Sequence, residues 1–87
     1  MDDKHEQLPK LLGKIDTTEE VTKFLDYLLT FEEKEQLNKR ILLTQMMLFS
    51  QKPQREIAKT LGVSISTVTR CSNALRNLPD SMKQKFK

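Results

Sequence analysis

Residues 54–70 read Gln54-Arg55-Glu56-Ile57-Ala58-Lys59-Thr60-Leu61-Gly62-Val63-Ser64-Ile65-Ser66-Thr67-Val68-Thr69-Arg70. The stretch contains what two short helices crossing at a sharp turn require. Ala58 is small enough for the helices to approach closely. Gly62 can take the positive φ of the turn without a steric penalty. Ser64 can accept from free backbone N–H groups at the start of the second helix. Ile57, Leu61, Val63, Val68 and, further on, Leu75 fall where they fill the wedge between the helices. The spacing predicts helices over about 54–61 and 65–76, and hence a helix-turn-helix over 54–76.

The polar residues left outside that wedge are Ser66, Thr67, Thr69, Arg70 and Asn73. They cluster toward the N-terminal end of the second helix, the end that such a unit presents to the DNA major groove. Short hydroxyl side chains bond either donors or acceptors on base edges. Gln54 and Arg55 begin the preceding helix, whose N-terminus itself attracts phosphate. The same pattern would also fit a helical hairpin that packs on protein, and charge bears on that choice. Residues 1–50 hold seven Lys/Arg and ten Asp/Glu, a net −3, whereas residues 51–87 hold eight and two, a net +6. A basic half is the electrostatic footprint of a polyanionic partner.

Outward from this unit the chain reads as helix throughout, with no alternating strand pattern. A weak first helix spans about 5–14 and ends near Gly13. Asp16, Thr17 and Thr18 precede Glu19 and Glu20, which is capping-box chemistry for a second helix with Val21, Phe24, Leu25 and Leu28 on its apolar face. Thr30, with Glu33 three residues on, caps a third helix reaching about Phe49. Its segment Ile41–Phe49 is apolar nearly all round, so more than one side should be covered. In 87 residues the expected cover is a second subunit, with the chain's own short helices as the alternative. Pro53 suits the first position of the 54–61 helix, and a short sixth helix follows Pro79. The expectation is a single all-α domain over 1–87, with 1–50 as dimerisation helices.

Several classes drop out. Cys71 is the single cysteine and His5 the single histidine, so neither a disulfide framework nor a site of several Cys or His ligands is available. There is no acid/base pair, nucleophile constellation or glycine-rich phosphate loop, so neither an enzyme nor a catalytic cofactor is expected. Met46 and Met47 read as core filler, and Cys71 as a small buried hydrophobe at a wedge position. No apolar run approaches the roughly 18 residues of a membrane span. Met1–Lys10 lacks a signal-peptide core, and a cytoplasmic location with no membrane partner is expected.

The stretch Leu28-Leu29-Thr30 through Pro79 resembles the bacterial Trp repressor family. Leu29-Thr30, Glu33, Arg40, Gln54-Arg55-Glu56, Ile65–Arg70 and Ser72-Asn73 carry the likeness, and Thr69-Arg70-Cys71-Ser72-Asn73 is close to that family's Thr-Arg-Gly-Ser-Asn. The resemblance implies an intertwined, all-helical homodimer that binds a double-stranded operator with L-tryptophan as corepressor. It places Arg40 and Arg70 on either side of the indole ring, and Thr30 and Arg70 toward the ligand carboxylate. Guanidinium planes both stack on aromatic faces and pair with carboxylates. It turns Ile65, Ser66 and Thr67 toward bases, and Gln54, Arg55, Thr69 and Ser72 mainly toward the DNA backbone.

The chain departs from the family at four positions. Cys71 stands for a glycine beside the ligand, and Ala74 for a serine near the ligand amino group. Ala58 replaces a DNA-contacting lysine, with Lys59 adjacent, and Pro53 replaces a capping serine. Cys71 and Ala74 leave open a regulator of the same fold that takes another small ligand or none. A helical protein-interaction module is the reading from a different class.

Overall fold

The structure is a computed structural model that describes residues 5–87. Six α-helices follow one another: α1 (Gln7–Leu12), α2 (Thr18–Leu28), α3 (Phe31–Phe49), α4 (Gln54–Leu61), α5 (Ile65–Leu75) and α6 (Asp80–Gln84). The described residues contain no strand, so the all-α expectation holds. The chain divides into two compact units, Met1–Lys34 and Glu35–Lys87.

In the first unit, local capping sets the helix ends. Helix α1 is shorter than the 5–14 expected, and Glu6 at its N-cap makes no side-chain hydrogen bond. Beyond Leu12 the chain tightens into i→i+3 bonds, from Lys14 N–H to the Leu11 carbonyl at 3.1 Å and from Ile15 N–H to Leu12 at 3.2 Å. His5 lies in the turn ahead of this helix and is exposed. At α2 the Thr17 hydroxyl accepts from Glu20 N–H at 3.1 Å. Glu20 Oε1 reaches back to Asp16 N–H at 3.1 Å, one residue before the cap itself.

The α3 capping box closes in full. Glu33 N–H donates to Thr30 Oγ1 at 3.1 Å, and Thr30 N–H to Glu33 Oε1 at 2.8 Å. Asp26 and Lys34 pair at 2.6 Å on the surface. Val21, Phe24 and Leu25 are half-buried, whereas Leu28 and Phe31 are exposed, and no described residue of this unit is fully buried.

The second unit has a core. Leu43 from α3, Ile57 and Ala58 from α4, and Val68 and Cys71 from α5 form it, with Met46, Met47, Leu61 and Val63 packed against it. Ile57 and Val68 are sealed from solvent. Leu75, expected in the wedge, is half-buried and is not among the residues packed against this core. Ile41, Leu42 and Phe49 stay exposed, so one side of the apolar α3 segment is covered within the chain and the others are not.

Pro53 sits at the N-cap of α4, one position earlier than its ring geometry suggested, and its carbonyl accepts from Glu56 and Ile57 N–H at 3.0 and 3.1 Å. Gly62 follows with φ 69° and ψ 35°, the left-handed conformation. A Cβ there would meet nothing within 4 Å, so backbone conformation rather than space selects glycine. Ser64 caps α5 by accepting from Thr67 N–H at 3.1 Å. Gln45 Nε2 donates to the Phe86 carbonyl at 2.9 Å and ties the stretch after α6 to α3. No described helix is long and apolar enough to cross a membrane.

Candidate nucleic-acid interface and adjoining cavity

The Gly62 turn and the Ser64 cap set the direction of α5, while Val68 and Cys71 anchor its inner face. The opposite face is left to solvent. Ile65 is 45% exposed, which for a large apolar residue at the first turn of a helix is a free surface. Ser66, Thr69, Arg70 and Asn73 are exposed, and Thr67 and Ser72 are half-buried. On α4, Gln54, Arg55 and Lys59 are exposed.

Two hydroxyls on this face are already engaged. Thr67 Oγ1 lies 2.9 Å from Ser64 Oγ, joining the cap. Thr69 Oγ1 donates to Gln54 Oε1 at 3.3 Å, linking the middle of α5 to the first residue of α4.

Behind the same helix lies an open cavity of about 290 Å³. Leu43, Val63 and Cys71 form its apolar wall, and Gln36, Lys39, Arg40, Thr67 and Arg70 its polar wall. Arg40 and Arg70 thus line one space despite their separation in sequence. Thr30 belongs to the first unit, where it caps α3. Three cations and no carboxylate line the space, which suits an anion, and the guanidinium groups also suit an aromatic plane.

Sequence reasoning missed Gln36 and Lys39. With Arg40 and Leu43 they form an i, i+3, i+4, i+7 stripe on α3, a signal that could have found them once Arg40 was in hand.

A second space of about 160 Å³ shares the Arg40 and Cys71 walls and continues to Thr44, Ala74, Leu75, Leu78 and Phe86. Thr44, also missed, is buried there. Its hydroxyl donates to the Arg40 carbonyl at 2.9 Å and sits 3.8 Å from Cys71 Sγ. Ala74 lines this second space and not the first, and it offers no hydroxyl. Among the described residues no cluster of His, Cys, Asp and Glu could hold a metal ion.

The chain has recognisable relatives. The family model described as Trp repressor protein matches residues 3–87. A Trp operon repressor homolog of Chlamydia caviae is 42% identical over 78 residues, covering 90% of this chain and 77% of the relative. One of Xylella fastidiosa strain M23 is 38% identical over 83 residues, covering 93% and 90%. One of Vibrio campbellii is 33% identical over 82 residues, covering 94% and 82%.

Proposed function

The chain belongs to the Trp repressor family, and on that premise we propose that it binds operator DNA as a homodimer, with L-tryptophan as corepressor. One observation carries the reading. Thr67 and Arg70 are residues of the exposed helix α5 and at the same time wall residues of the cavity. A ligand held between Arg40 and Arg70 therefore touches the DNA-reading helix directly. It would bias the angle of that helix to the extent that it binds the DNA-competent state better than the other.

In this reading Ile65, Ser66 and Thr67 face base edges in the major groove. Gln54, Arg55, Lys59 and Ser72 face the phosphate backbone, where cations displace counterions and supply much of the affinity, and Thr69 lies on the same side, bonded to Gln54. Two copies set their α5 helices in successive major grooves, roughly 34–36 Å apart. Residues 1–50 supply the dimer contacts, for which the exposed Leu28, Phe31, Ile41 and Leu42 are suitable.

The test is selection of duplexes from a random pool, followed by binding to the winners with and without L-tryptophan. The expected result is salt-sensitive, sequence-selective retention that tightens when tryptophan is added. Absence of any salt-sensitive retention would overturn the DNA reading. A second reading rests on Cys71, whose side chain enters the cavity wall where the family has a glycine. It is a DNA-binding regulator whose affinity does not respond to tryptophan. Selective DNA binding without calorimetric heat on tryptophan addition would establish it in place of the first.

A further inference from the structure

A glutamine at a protein–DNA interface can act in two ways. It can read adenine bidentately, which needs its carbonyl oxygen and its amide nitrogen turned together toward the base edge. It can instead donate to a phosphate oxygen, which needs only the nitrogen, because the backbone phosphate is an acceptor. The contact between α4 and α5 bears on which of these Gln54 does. Its Oε1 accepts from Thr69 Oγ1 at 3.3 Å, so the oxygen side of the carboxamide is turned toward α5. Among the described residues nothing accepts from Gln54 Nε2, and both residues are exposed. Arg55, also exposed, stands next to it at the start of α4.

Resting on the DNA-binding reading above, we propose that Thr69 is a positioning residue. It holds the Gln54 oxygen toward α5 and so leaves the Gln54 amide N–H groups to donate to the DNA phosphate backbone. Thr69 then acts through Gln54 rather than on the DNA itself. Gln54 contributes affinity that is independent of sequence. Base reading is concentrated on the first turn of α5, where Ile65 is open and Ser66 is the exposed hydroxyl with no partner among the described residues.

The experiment is a double-mutant cycle on the full chain: wild type, Gln54→Ala, Thr69→Val, Thr69→Ser and the Gln54→Ala/Thr69→Val pair. Each is titrated with the duplex that the wild type selects and with single-base-pair variants of it. Gln54→Ala and Thr69→Val should each weaken binding by a common factor of roughly three to ten on every duplex. The pair should bind no more weakly than Gln54→Ala alone. Thr69→Ser, which keeps the hydroxyl, should restore wild-type affinity, and thermal melts should stay unchanged because both positions lie on the surface.

Losses that add in full would make Thr69 a DNA contact in its own right and overturn the proposal. So would a Gln54→Ala loss that depends on the base pair presented, or a Thr69→Val protein that binds normally. Failure of the wild type to retain any duplex would remove the DNA-binding reading itself and this inference with it. The other outcomes leave that reading standing.

Discussion

The two units of the molecule are built from the same kind of amphipathic helix, yet they bury their apolar faces very differently. The second unit seals Ile57 and Val68 completely and closes a core around them from three helices. The first unit has side-chain caps at α2 and α3, but none of its described residues is fully buried, and Leu8, Leu11, Leu12, Leu28 and Phe31 lie open. Good helix ends are therefore not the same thing as a stable unit. Ordering each backbone residue costs roughly 1–2 kcal/mol in entropy, and only buried apolar surface offsets that on a sufficient scale. The second unit has such a source within one chain. The first has no such source among its described residues, and the homodimer proposed above would supply one.

Substitution in the sealed core should give the largest effect. Ile57→Ala removes a side chain that is 2% exposed and leaves a cavity where α3, α4 and α5 meet. A loss of roughly 2–5 kcal/mol is expected in urea unfolding, independent of protein concentration apart from the dimer's own mass action. A cost below about 1 kcal/mol, typical of surface positions, would mean that the second unit does not depend on this core.

Gly62→Ala comes next. Its penalty arises from the left-handed backbone alone, since no atom lies within 4 Å of the added methyl group. It should cost about 1–2 kcal/mol and should loosen the angle between α4 and α5. The check is a thermal melt paired with DNA titration. Full stability together with lost DNA affinity would place the effect of Gly62 on the interface rather than on the fold.

What could be read from the sequence follows the range of each interaction. Thr30 with Glu33, Ser64 with Thr67, and the positive φ at Gly62 are settled within a few residues, and all three are visible in the residue string. The inner face of the helix-turn-helix was legible too, because Ile57 and Leu61 on α4, and Val68 and Cys71 on α5, fall at helical spacing. Leu43 and Thr44 were not. Both sit within a segment that is apolar on all sides, where periodicity cannot say which stripe meets the core.

The site shows the same divide. Arg40 and Arg70 were legible through family resemblance, whereas Gln36 and Lys39 became visible only once α3 was placed against the cavity. The Gln54–Thr69 bond spans 15 residues and joins two helices through side chains of ordinary surface type, so no local rule announces it.

The smallest effect is also the one that tests the comparison most directly. Leu28 is 46% exposed at the end of α2. If nothing covers it, Leu28→Ala removes surface that water already touches, and the stability change should be no more than about 0.5 kcal/mol. If a second copy covers it, the exposed half of the side chain is buried on association. Full burial of a leucine is worth about 1.5–3 kcal/mol, so the variant should lose about 1 kcal/mol per subunit. That loss should appear only where protein concentration keeps the dimer populated, because the interface stabilises the folded chain by mass action. Sedimentation equilibrium and melts across a wide range of concentrations separate the cases. A melting temperature that rises with concentration in the wild type and less steeply in Leu28→Ala would assign the cover of the first unit to its own copy. A wild-type melting temperature that does not move with concentration would show the first unit standing without a partner, and the exposed stripe would then contribute nothing to assembly.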